Sequence, residues 1–177
     1  MTGVGEILFL AGFALAHAAW SVSDGADPLI TFAVVESAHG RELHRFPAGT
    51  GQARAVMFED HAASAWVLAS QERLDIDGEA HTTLFIETSA DADGHQIAVI
   101  QVFVPGAGDG FQLVGAPRVL GPGIGEDPPD LVRDLAAGML HTRRRCHSSP
   151  TCRSISRRRC DSQQSERVAW PKLPQEH

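Results

Sequence analysis

Three Asp-Gly steps, Asp77-Gly78, Asp93-Gly94 and Asp109-Gly110, recur at intervals of 16 residues through the middle of this chain. Both residues of an Asp-Gly pair reach positive φ at low cost, which is what a two-residue hairpin turn demands. The segments between them read as strands: Ala65 to Ile76, Ala80 to Thr88, His95 to Val104 and Phe111 to Leu120. Evenly spaced reversals therefore predict a four-strand antiparallel meander. In the first strand Trp66, Leu68, Leu74 and Ile76 share a parity opposite to Gln71, Arg73 and Asp75, as a sheet with two unlike faces requires. In the third, Ile97, Val99 and Phe103 face one way while Ala98, Ile100, Val102 and Val104 face the other, so this strand is expected to be central and covered on both sides.

Upstream, Leu29 to Glu36 is rich in β-branched and aromatic residues and Arg41 to Phe46 alternates in polarity, which predicts a hairpin through Ser37-Ala38-His39-Gly40. Thr50 to Ser64 places Ala53, Val56 and Met57 at helical spacing behind a capping threonine. Ile7 to Trp20 is apolar around nearly the whole helical circumference, and Ser21 to Pro28 follows it as a loop. After a Gly/Pro-rich connector, Gly121 to Pro129, the segment Asp130 to Leu140 spaces Leu131, Leu135 and Leu140 as a last helix. The order α-β-β-α-β-β-β-β-α is that of an α+β fold, an antiparallel sheet packed with two or three helices. Residues 1–140 are long enough for one domain that buries roughly two thirds of its unfolded surface without metals or disulfides.

Charge divides the chain. Residues 1–140 hold 6 Arg, no Lys and 19 acids, a balance of −13, whereas residues 141–177 hold 8 Arg, 1 Lys and 3 acids, a balance of +6. An acidic body repels phosphate backbones, so nucleic-acid contact is expected only through the basic tail, and only if that tail is genuine. All three cysteines, Cys146, Cys152 and Cys160, lie in the tail at spacings without the short knuckle of a structural zinc site, although His141 and His147 are near. Such Arg/Ser-rich composition reads as a disordered segment. The abrupt switch just inside a helical pattern also fits an out-of-frame translation, which the coding DNA around codon 140 would decide.

The apolar Ile7 to Trp20 run has 14 residues, too few to span a bilayer, so no membrane span is expected. As a secretory leader it has an Ala16-His17-Ala18 step resembling a cleavage site, but it carries Glu6 and no positive n-region. The two readings are a helix of the core in a cytoplasmic protein, or a signal peptide over residues 1–18 of a secreted one.

The usual chemical motifs do not form. Asp75-Ile76-Asp77-Gly78 and Asp91-Ala92-Asp93-Gly94 suggest calcium, but Gly stands fourth rather than sixth and the twelfth positions are Ile86 and Val102 rather than Glu, so turn chemistry explains them. Gly121-Pro122-Gly123-Ile124-Gly125 lacks the P-loop Lys and is followed by Glu126 and Asp127, which repel phosphate. No nucleophile elbow, His-Glu-x-x-His helix or Cys-x-x-Cys pair occurs, and neither a cofactor nor a metal is expected.

Two polar clusters remain as candidate sites. His17, Trp20, Ser21, Ser23 and Asp24 lie where the first helix runs into its loop, and Glu59, Asp60 and His61 combine an imidazole with carboxylates near the end of the second helix. A histidine beside acids can serve as base or ligand. The bland alternatives are a helix end with its carbonyls satisfied and a solvated helix face.

The stretch Ala14 to Gly25 (ALAHAAWSVSDG), with the Leu29 to Glu36 strand and Arg41 to Phe46, resembles the opening of small bacterial proteins of an uncharacterised family. The resemblance covers about the first 50 residues and implies no activity; it suggests that the apolar helix belongs to the domain. The expected function is a non-enzymatic domain binding a protein or small ligand through its sheet or its first helix. The alternatives are a small enzyme using His17 with Asp24, or His61 with Glu59, as general base, and nucleic-acid contact through the tail.

Overall fold

The computed structural model describes residues 3–37, 40–60, 65–89, 96–106, 110–121 and 133–140. These comprise α1 (Val4–Ser23), β1 (Phe32–Ser37), β2 (Gly40–Arg45), α2 (Thr50–Asp60), β3 (Ala65–Ile76), β4 (Glu79–Thr88), β5 (Ala98–Val104), β6 (Gln112–Leu120) and a last helix, α3, at residues 133–140. The fold is α+β, with all six strands in one antiparallel sheet of order β2-β1-β3-β4-β5-β6. The expected hairpin and meander are thus joined edge to edge, through the pairing of β1 with β3.

Asp77-Gly78 forms the β3–β4 turn with φ of 57° and 86°, and the Gly78 amide donates to the Asp75 carboxylate at 2.9 Å. Positive φ at both central residues is the hairpin geometry that Asp-Gly favours. Asp93-Gly94 and Asp109 lie outside the described residues, but the strands they separate are antiparallel neighbours as the spacing predicts.

The helices lie on opposite faces. Phe32, Val34, Val67, Ala69, Leu84, Ile86, Ile97, Val99 and Phe103 pack with Leu8, Phe13, Leu15, Ala18 and Val22 of α1. The alternate residues of β1 and β3, namely Ala33, Val35, Trp66 and Leu68, pack with Ala53 and Met57 of α2. Strands β1 and β3 therefore carry a helix on each side. The cover expected on both sides of strand β5 is partial: on its second side Ile100 is buried, Ala98 and Val102 are partly buried and Val104 is 48% exposed. Helix α2 has 11 residues, packs mainly on β1 and β3 and reaches β4 through Arg54, which holds Glu87.

Helix α1 has 20 residues rather than the 14 of its apolar run, and by length and composition it could cross a membrane. In the fold, half of its apolar window is buried against protein. At its start the Glu6 carboxylate accepts the Gly3 amide at 3.1 Å, the carboxylate half of a capping box. Its outer side is crossed by α3, whose Leu135 joins the same core. That second cover explains why the α1 sequence is apolar nearly all round: one side meets the sheet and another meets a helix.

Candidate functional site

The cluster at the end of α1 is assembled by a helix stop. The Gly25 amide donates to Val22 O and the Ala26 amide to Ser21 O, both at 3.0 Å, while Gly25 has φ of 99°. These two bonds make a Schellman motif, with glycine at the left-handed position after the helix. The Ser21 hydroxyl donates to His17 O at 2.9 Å and the Ser23 hydroxyl to Trp20 O at 2.8 Å, so both hydroxyls turn back on their own helix. Asp24 is exposed and its amide donates to Trp20 O. No hydrogen bond or ion pair joins it to His17 among the described residues.

His17 sits differently. Its ring meets Phe32 edge-on at 5.1 Å and lies 6.0 Å from Trp20. Burial, with the Arg45 guanidinium nearby as a smaller cause, pushes the imidazole down to about 4, so it is neutral at physiological pH. A neutral ring held between aromatics is poised for packing; its use as a base needs a polar partner.

Of the second cluster, Glu59 is exposed on α2, Asp60 ends the helix, and His61 lies outside the described residues. The tail with its cysteines lies outside them too. Among the described residues no three His, Cys, Asp or Glu side chains converge in a way that could hold a metal ion.

Sequence reasoning missed a third place, the α2-side margin of the sheet along β5 and β6, which continues the rows of β3 and β4. The register there arranges side chains in ladder rows: Glu72–Thr83–Val102–Val114, then Ser70–Phe85–Ile100–Arg118, then Leu68–Glu87–Ala98–Leu120. Val104, Val114 and Leu120 are about half exposed at 48%, 47% and 47%, and Phe85, Ala98 and Val102 are partly so. Helix α2 borders these rows through Arg54, which holds Glu87 at 2.8 Å, and through Phe58, which stacks edge-on against Trp66 and is itself 47% exposed.

The margin next to α2 is polar. Ser70 donates to the Glu72 carboxylate at 3.0 Å, the Thr50 hydroxyl lies 3.4 Å from the same oxygen, and the Thr83 hydroxyl donates to Glu72 O at 3.1 Å. Glu72 has no cationic partner among the described residues, and neither has Arg118 an acidic one. The alternation of β5 held this signal, since Ala98, Ile100, Val102 and Val104 form a continuous apolar row; what it could not show is how far a short α2 extends.

Comparison of the chain with protein-family models, with curated proteins and with solved structures finds no match.

Proposed function

We propose that this protein is a non-enzymatic binding module whose recognition surface is the α2-side margin of β5 and β6. The observation that carries the reading is the outer margin formed by Val104, Val114 and Leu120, each about half exposed, beside the partly exposed Val102. Monomeric soluble proteins seldom leave contiguous apolar area open unless it meets something. An exposed apolar margin along β5 and β6 suits a protein surface better than a small molecule, which is ordinarily enclosed in a concavity.

The test is binding of an environment-sensitive hydrophobic dye. The wild-type chain should enhance its fluorescence, and Val114→Glu with Leu120→Lys should abolish most of the enhancement while leaving the melting temperature within a few degrees, as substitutions at half-exposed sites do. Equal dye binding by the variant would overturn the reading.

The same reading keeps α1 with the folded protein, in line with a cytoplasmic location. Helix α1 covers Phe32, Val67, Leu84 and Val99, and its loss would open the opposite side of the sheet as well. The mass of the chain purified from its source tests this: loss of residues 1–18 would contradict it.

A further inference from the structure

We propose that Arg45, His17 and Trp20 form a binding site for a small aromatic carboxylate, at the seam between α1 and the β2 edge of the sheet. This site lies on the α1 side, at the opposite end of the sheet from the β5–β6 margin, and is independent of it.

Along this seam the chain builds one arrangement twice and completes it once. In the register of β1 with β2, Glu36 stands opposite Arg41, Val34 opposite Leu43 and Phe32 opposite Arg45. Directly opposite residues share a face, and Phe32, Val34 and Leu43 belong to the core under α1, so both arginines rise on the α1 side. Helix α1 runs beside them with its rings in step: from Phe9 to His17 the helix advances about 12 Å, and from Arg41 to Arg45 the strand advances about 13 Å.

At the first position the arrangement is complete. Arg41 lies over Phe9 and Phe13, and its Nε holds the Glu36 carboxylate at 3.1 Å. At the second, the rings are present and the carboxylate is not. His17 meets Phe32 edge-on at 5.1 Å with Trp20 at 6.0 Å, and the Arg45 guanidinium is close enough for the imidazole to feel its charge. The residue that stands where Glu36 would is Phe32 itself. Arg45 is exposed and has no ion pair among the described residues; Asp24 makes none either, and Asp27 accepts from the Gln71 side-chain amide at 3.0 Å.

The groups left over define the ligand. A guanidinium matches a planar carboxylate through two parallel N–H···O bonds. The His17 ring is neutral, so one of its nitrogens carries a proton; the ring makes no hydrogen bond among the described residues and neither nitrogen is sealed from solvent. That leaves an N–H for the same carboxylate. Trp20, only partly buried, offers indole surface to an apolar body beside it. Residues 1–140 carry a balance of −13, which opposes a doubly charged phosphate more than a singly charged carboxylate.

The test is an NMR titration of the full chain at constant ionic strength, with phenylacetate as the probe and the His17 ring and Trp20 indole signals as the readout. A ligand of this size at an open site is expected to saturate them with a Kd of about 1 mM. Acetate, which lacks the ring, and 2-phenylethanol, which lacks the charge, should each bind at least about fivefold more weakly. Arg45→Gln, a change at an exposed side chain, should weaken phenylacetate binding at least about tenfold. His17→Phe keeps a ring beside Phe32 but loses the N–H, and should weaken it about threefold. Arg118→Gln, which removes an unpaired arginine at the far edge, should leave it unchanged. Tighter binding of N-acetylphenylalanine than of phenylacetate would make a peptide C-terminus the source of the carboxylate, and the reverse order a free acid; both support the site. No saturable shift up to about 10 mM phenylacetate, ten times the expected Kd, overturns the proposal. So does an Arg45→Gln chain that binds as the wild type does, equal weakening by Arg118→Gln, or acetate bound as tightly as phenylacetate.

Discussion

Gly12 of α1 and Gly138 of α3 mark where the two helices cross backbone on backbone: a Cβ on Gly12 would strike the carbonyl of Leu135, and one on Gly138 would strike the carbonyl of Phe9. Each obstacle is main chain, which cannot swing aside as a side chain can. Gly12→Ala or Gly138→Ala should therefore force the helices apart and cost about 2–4 kcal/mol, at or above the usual range for overpacking. Urea denaturation checks this. An alanine at Gly51, which has open space around it on a helix, should be neutral or slightly stabilising and serves as the control.

The His17 imidazole makes stability depend on pH in a defined window. Its value in the folded chain, about 4, lies below the ordinary 6.5 of the unfolded chain. Above about 6.5 both states are neutral at this site and its contribution is complete. As pH falls from 6.5 toward 4 the unfolded state takes up a proton that the folded state refuses, so stability is lost through that interval, by an amount on the order of 2–3 kcal/mol. His17→Gln should flatten the difference in unfolding free energy between pH 7 and pH 5. A variant whose slope matches that of the wild type would refute the assignment.

What the sequence made legible was local and periodic. Asp77-Gly78 announces its turn because the chemistry of positive φ is held in two residues. The faces of β3 and β5 follow from alternation alone. The register that joins Phe32 to Ala69 across β1 and β3 is not legible, because it depends on two segments more than thirty residues apart finding one another. The same limit blurs the reading of β5: its second apolar row looks like core, and it is so at Ile100 but not at its end, where Val104 is half exposed. The polar cluster at Ser21, Ser23 and Asp24 is the converse case, since hydroxyls that read as a site are bonded to their own helix's carbonyls.

Arg41 gives a test of packing by a charged side chain. Its guanidinium carbon lies 5.1 Å from the centre of Phe9 and 5.7 Å from that of Phe13, and its Nε holds Glu36 at 3.1 Å with only 11% of the side chain exposed. A planar cation stacked on rings is not replaced by an ammonium. Arg41→Lys should cost about 1 kcal/mol and Arg41→Ala about 2 kcal/mol, mostly through the lost contact between the β2 edge and α1. If Glu36→Gln costs as much as Arg41→Ala, the ion pair rather than the rings is the main contribution.

Gln101 fills a break in the sheet. Ile100 pairs with Arg118 and Val102 with Val114, so residues 115–117 of β6 stand opposite the single residue 101 of β5. The Gln101 side-chain amide, on a residue only 1% exposed, donates to Val102 O at 2.9 Å and Val114 O at 3.0 Å, with Gly115 O at 3.4 Å. Gln101→Leu keeps the size but leaves those carbonyls without their donor, which should cost about 1–3 kcal/mol and speed hydrogen exchange in β6 before β3. Gln101→Glu should be worse at neutral pH, because a buried carboxylate then faces carbonyl oxygens. Burial raises that acid above its unfolded value, so its harm should lessen as pH falls through the raised value and the protonated acid regains a donor. A Gln101→Glu chain whose deficit relative to Gln101→Leu stays constant from pH 8 to about pH 5 would show that the amide is not what holds the bulge closed.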